Sequence, residues 1–273
     1  MKKAFIFSLI FLSSFLLSGC GIKKQVNSPN QLPGAEPTPL PTKPLEQTVK
    51  EGPFITLLPS ADTHWLTLEI KNIAQKISSL EYDLTYFAEV EGNQVERGVG
   101  TAGRPEEIKN QTEFSKKILL GSASCTTGTC KYKYDEGVKE GTLSVSLNNT
   151  AGKDKYESAF RLQKGKEAKE GLTAGDGVFS FVSENLAPNG AYLTLSTVGV
   201  PVSLPSGITP KSAPYGIFSV SPVKKGNIVF KTSLSGVSVY AFDGRTWSKL
   251  ATEVANGQAK AASLGQYLFI LVE

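Results

Sequence analysis

Trp65-Leu66-Thr67-Leu68-Glu69-Ile70 alternates with a period of two, so Leu66, Leu68 and Ile70 share one face of an extended segment and Trp65, Thr67 and Glu69 the other. A strand with one buried face has this period, whereas a helix repeats every 3.6 residues. The pattern recurs downstream: Leu80, Tyr82, Leu84 and Tyr86 line one face of the next segment, and Leu143, Val145 and Leu147 line another. Similar runs cover 54–58, 114–120, 158–162, 178–182, 191–198, 215–220, 228–232, 237–242 and 267–272. About a dozen short strands separated by glycine and asparagine turns predict an all-β fold, an immunoglobulin-like β-sandwich.

Helical spacing is scarce. Ile73, Ile77 and Leu80 lie three and four apart, but strand, turn and strand suits their neighbours better, and 163–170 reads as a short charged helix or an exposed loop. Between 201 and 214, Pro201, Pro205, Pro210 and Pro214 with Ser206-Gly207 interrupt the strands. Proline cannot donate to a sheet ladder, so a linker is expected there, between a sandwich over 53–200 and a smaller C-terminal β module over 215–273. In that module Val237 to Phe242, Asp243-Gly244, Trp247 and Leu264-Gly265-Gln266-Tyr267-Leu268 resemble a β-hairpin repeat found at the ends of many bacterial surface proteins. The resemblance covers about forty residues and implies an accessory module without chemistry of its own.

At the other terminus, Lys2 and Lys3 precede a mostly apolar run from Ala4 to Leu17, followed by Leu17-Ser18-Gly19-Cys20. The run is shorter than the roughly 20 residues a spanning helix needs and has the flanks of an export signal. The order resembles the lipobox signal of bacterial lipoproteins. That resemblance implies removal of residues 1–19, lipidation of Cys20 and attachment to membrane lipid on the outer side of the cytoplasmic membrane. Gly21 stands where an aspartate holds many lipoproteins at the inner membrane, so the outer membrane of a two-membrane cell, or the surface of a one-membrane cell, is open to it. From 20 to 52 the chain is rich in Pro, Gln, Asn, Thr and Lys and lacks aromatic residues. Such a composition predicts a disordered tether with a root-mean-square reach of roughly 30 Å as a flexible coil.

Composition excludes some functions. The net charge is +4, and Lys2 and Lys3 supply two of those charges, leaving +2 after the signal. Lys131-Tyr132-Lys133-Tyr134 and the lysines of 164–169 are interrupted by alternation or by glutamates, as on solvated faces, so no nucleic-acid partner is expected. Cys125 and Cys130 enclose Thr126-Thr127-Gly128-Thr129, a spacing that suits a disulfide closing a tight loop or hairpin outside the cytoplasm. A two-residue redox motif is excluded by the spacing, and the lone His64 cannot complete a common zinc set with two cysteines. No cofactor or metal is called for.

A lone histidine also leaves few ways to build a nucleophilic triad. Ser221-Pro222-Val223-Lys224 and Lys231-Thr232-Ser233 match serine/lysine hydrolase motifs only in letters, because the serine should open a buried helix and Pro222 sits among strands. Asp243-Gly244 reads as a hairpin turn and 171–177 as a loop without phosphate-loop or calcium-loop residues. Glu106-Glu107 and Asp135-Glu136 could support glycoside hydrolysis only if folding gathers them in a groove. The expectation is therefore a non-enzymatic, lipid-anchored binding, adhesion or envelope-assembly protein with an envelope or surface ligand. An envelope hydrolase using carboxylates or the Ser/Lys pair is the alternative. Tyr132 and Tyr134, beside the cysteine loop, are the candidate contact surface, since aromatics on a small rigid loop bind at low entropic cost.

Overall fold

The computed structural model describes residues 45–168 and 170–273, so Cys20, the signal and most of the expected tether lie outside the described residues. The described chain is all-β, with twenty strands and one short helix, α1 (Leu45–Glu51). The first ten strands are β1 (Phe54–Pro59), β2 (Trp65–Lys71), β3 (Ile77–Val90), β4 (Asn93–Gly100), β5 (Glu106–Glu107), β6 (Phe114–Leu119), β7 (Gly121–Thr126), β8 (Thr129–Tyr134), β9 (Glu140–Asn149) and β10 (Gly152–Lys164). The second ten are β11 (Leu172–Thr173), β12 (Phe179–Val182), β13 (Ala191–Ser196), β14 (Tyr215–Phe218), β15 (Gly226–Lys231), β16 (Ser238–Phe242), β17 (Trp247–Lys249), β18 (Thr252–Ala255), β19 (Gln258–Ser263) and β20 (Leu268–Val272).

The alternating segments become strands with one buried face. Leu66, Leu68 and Ile70 of β2 are fully buried, as are Leu80, Leu84, Tyr86 and Ala88 along β3. β1, β2 and β6 form a three-stranded sheet, which packs on a sheet in which β4, β3, β9 and β10 are neighbours. Lettered A, B, C, C′, E, F and G in chain order, β1, β2, β3, β4, β6, β9 and β10 place A-B-E on one layer and C′-C-F-G on the other. That is the strand adjacency of an immunoglobulin-type sandwich.

The large sheet does not stop at β10. Its order is β17-β16-β20-β14-β13-β10-β9-β3-β4, with β5 paired to β3. Thirteen-residue β10 makes the join: residues 152–161 pair with β9 and 160–164 with β13. β13 then pairs with β14 across the proline segment, Leu193 opposite Phe218 and Ser196 opposite Tyr215. A second, five-stranded sheet of order β11-β12-β15-β19-β18 covers the C-terminal half. Strands at this junction carry continuous apolar runs because both their faces are buried. In β20, Leu268 joins the first core, Phe269 and Leu271 the second, and Ile270 and Val272 a third cluster with Val49 and Val200.

The expected linker and separate module are corrected by this pairing. Segment 201–214 crosses between strands of one sheet and is fastened along its length. The amide N–H of Thr209 donates to Glu273 O, that of Lys211 to Leu271 O, and Trp247 Nε1 to Val202 O at 2.8 Å. Pro210 fits there because it bridges Val272 without needing an N–H, the ladder hydrogen bonds coming from Thr209 and Lys211 on either side. The expected tether also ends earlier than 52: residues 45–51 form α1, held by the buried Val49 and an exposed Lys50–Glu46 pair one turn apart. Within 237–268, β16 turns through Asp243-Gly244 into β17, and both strands belong to the shared sheet. Segment 72–76 is irregular, in keeping with the strand, turn and strand reading, and of the two readings of 163–170 the helix is absent: 163 and 164 end β10 and 165–167 form a turn.

The buried Tyr86 and Tyr215 and the half-buried Tyr156 make the fold sensitive to base. Burial pushes the Tyr86, Tyr156 and Tyr215 phenols up, Tyr156 to about 12, and hydrogen bonds to Asp135 (2.9 Å) and Asp176 (2.6 Å) raise Tyr86 and Tyr215 further. The folded state thus holds these protons more tightly than an unfolded chain titrating near 10. Their contribution is complete below about pH 10 and is lost as pH rises through the folded values. Urea midpoints should fall steeply between about pH 10 and 12, and an unchanged midpoint across that window would contradict the assignment.

Candidate functional site

The hairpin β7–β8 is an insertion between the E-like and F-like strands, outside both main layers. Its two-residue turn is Thr127-Gly128, with φ of 45° and 85°, the pair of left-handed residues that a type I′ hairpin turn requires. One residue pair back from the turn, behind Thr126 and Thr129, Cys125 pairs with Cys130, and the two sit at disulfide distance, Sγ–Sγ 2.06 Å. At the base, Leu120 is buried, its N–H donates to His64 O, and its carbonyl accepts from Asp135 N–H. The hairpin is thereby closed at both ends.

Alternation along β8 puts Cys130, Tyr132 and Tyr134 on one face and Lys131 and Lys133 on the other. Opposite the tyrosines the register places small residues, Ala123 against Tyr132 and Gly121 against Tyr134. The tyrosine face turns toward the sandwich. His64 stacks on Tyr134 with centroids 3.9 Å apart and planes 4° apart, and Tyr132 lies 6.1 Å from Tyr134 with planes 9° apart. Trp65 meets Tyr132 edge-on at 5.5 Å, and the Lys117 ammonium sits 4.5 Å over the Trp65 ring. These rings therefore form a row, with Tyr132 46% exposed at its open side.

Next to the row is a polar cleft of about 250 Å³ that His64 also lines. Asp62, Asp135, Glu136 and Glu167 contribute carboxylates to it, and Lys139 and Lys164 contribute ammonium groups. The loop before β2 is fixed locally: Thr63 has a left-handed φ of 64°, Asp62 accepts from the Ser60 hydroxyl and from His64 N–H, and Trp65 N–H donates to Ser60 Oγ. Those hydrogen bonds, the one from Ser60 first, hold the Asp62 carboxyl below its ordinary range. Asp135 is oriented by the Tyr86 hydroxyl and by Arg97, 3.6 Å away.

The other sequence candidates are dispersed. Glu106 and Glu107 lie in β5, paired with Lys116 and Lys109 respectively, whereas Asp135 and Glu136 line the cleft. Ser221 and Lys224 lie in the loop between β14 and β15, not at a helix start, and Lys231 ends β15. Asp243 Oδ1 accepts the N–H groups of Arg245 and Thr246, the geometry of a hairpin turn. Asp176, in the 171–177 loop, accepts from Tyr215. No group of three or more metal-binding side chains occurs among the described residues, and no helix among them is long and apolar enough to cross a membrane.

Tyr132 and Tyr134 are where the sequence places a contact surface, but Asp62, His64, Trp65 and Lys117 escape it. Trp65 carried a signal: it occupies the outward parity of Trp65-Leu66-Thr67-Leu68, a large aromatic where a solvated polar residue is the norm. His64 carried none, because it lies seventy residues from its stacking partner. No family model, curated protein or solved structure matches the chain.

Proposed function

We propose that this chain is a lipid-anchored, extracytoplasmic binding protein, held to membrane lipid through Cys20 and presenting the His64-Trp65-Tyr132-Tyr134 row to an envelope or surface ligand. The observation that carries this reading is the placement of the row. The described chain enters through α1, which leads at residue 53 into β1, and the row is built where β1 ends and β2 starts, since Pro59 pairs with Leu66 and Phe54 with Lys71. One strand length, roughly 20 Å, separates the two. A domain held at one end offers its other end to whatever lies beyond the membrane. The disulfide and the turn support the reading further, because a preorganised loop loses little conformational entropy on binding.

The anchor is tested by phase partitioning of cell extracts in a temperature-separating detergent. Wild type should enter the detergent phase with a slower-migrating precursor absent, and Cys20→Ser should remain an uncleaved precursor without incorporating labelled fatty acid. Two acyl chains suffice for stable attachment, at about 0.8 kcal/mol per buried methylene. Wild-type protein found in the aqueous phase would remove the anchor from this reading.

A further inference from the structure

The aromatic row and the polar cleft are contiguous, and together they specify more than a generic contact surface. We infer that they form a glycan-binding site, one that takes a neutral or N-acetylated pyranose chain; this rests on the binding reading above. A pyranose presents an apolar C–H face and a rim of hydroxyls, each both donor and acceptor. The row offers aromatic surface for the first, and the cleft offers carboxylate acceptors and ammonium donors for the second.

Three details favour this ligand class. First, Gly121 and Ala123 opposite the tyrosines leave the rings unscreened by large cross-strand side chains, so Tyr132 remains open to a flat partner. Second, a cleft of about 250 Å³ falls below the roughly 300–1,000 Å³ of ordinary small-molecule pockets. It suits one sugar ring at a time, with the rest of a chain running along the aromatic row. Third, four carboxylates against two lysines line the cleft, which repels a polyanion. Uronate and phosphate-linked polymers are therefore disfavoured, and neutral hydroxyls or acetamido groups fit the mixture of donors and acceptors.

The test uses the full-length lipoprotein in detergent and reads tryptophan fluorescence during titration with three probes: an oligomer of neutral β-linked hexoses, an oligomer of N-acetylhexosamine, and an oligouronate. One of the first two should give a saturable change that disappears in Trp65→Phe, while Trp247 continues to emit. Tyr132→Ala should weaken that binding roughly tenfold and Tyr132→Phe should leave it, because ring surface and not the hydroxyl is used. Glu136→Gln should weaken it while circular dichroism stays native. No saturation by either neutral or N-acetylated oligomer up to roughly 10 mM overturns the inference, and so does oligouronate binding of equal strength. In parallel, a photo-crosslinker at Lys139, which lines the cleft, on intact cells separates the two levels. Protein capture together with failure of every glycan leaves the binding reading standing and removes the glycan, whereas capture of nothing by either route removes both.

Discussion

A chain that stops at Val200 is expected not to fold, and residues 215–273 are expected not to fold by themselves. Both truncations cut through paired strands. Ending at 200 strips β13 of β14, leaving Leu193, Thr194, Leu195 and Ser196 without their partners on that side, and strips β12 of β15. The first core would lose Phe218, Phe242 and Leu268, all members of the cluster that the A-B-E layer covers. Phe179, Phe181 and Tyr192 would be left facing water, since their neighbours Ile228, Phe230, Phe269 and Leu271 are gone. Fully burying one such side chain is worth about 1.5–3 kcal/mol, so the three left facing water already cost about 4.5–9 kcal/mol, comparable to the 5–15 kcal/mol by which a domain is ordinarily stable. A fragment over 45–200 should lack a cooperative thermal transition by circular dichroism, while 45–273 should show one. A sharp transition in the shorter fragment would restore the two-module organisation that the prolines suggest.

That organisation was not legible because proline density reports only where a ladder is interrupted. It says nothing about whether the strands on either side meet again. The half-buried strands were readable from period two, as in β2 and β3, and so were the doubly buried ones, from apolar runs such as Leu268-Phe269-Ile270-Leu271-Val272. Strands without either signal were missed. β4 is an edge strand, Asn-Gln-Val-Glu-Arg-Gly-Val-Gly, exposed almost throughout, and needs no apolar face. β19 does alternate, but its buried residues are Ala259, Ala261 and Ser263, whose small side chains carry little strand preference. α1 was lost inside a polar tether because a single buried valine fixes it. For the site, the hairpin tyrosines were visible through the disulfide spacing. Their partners came from β2 and β6, and only the long-range pairing of the sandwich brings those together with β8.

Phe179→Ala should be the most damaging single truncation of a side chain, and its effect should reach both halves of the molecule. Phe179 is buried to 1% exposure and lies against three rings, Phe230 at 5.2 Å, Tyr215 at 5.5 Å and Phe269 at 5.6 Å. Removing a buried phenylalanine ring typically costs 3–5 kcal/mol through lost burial and the cavity left behind, and each aromatic pair adds roughly 0.5–1.5 kcal/mol. Tyr215 cannot collapse into the hole easily, since its hydroxyl is tied to Asp176. For a domain of this size the loss corresponds to a fall in Tm of roughly 6–20 °C. The two tryptophans make the coupling visible, because neither belongs to the core around Phe179: Trp65 sits in the A-B-E layer, and Trp247 lies in β17 against Phe242 of the first core. If β10, β13 and β14 transmit stability as one continuous ladder, Trp65→Phe and Trp247→Phe backgrounds should report the same shifted midpoint for Phe179→Ala. If circular dichroism shows an early transition for Phe179→Ala that neither tryptophan follows, the two cores melt separately in spite of their common sheet, and the aromatic row at the far end is insulated from damage in the C-terminal core.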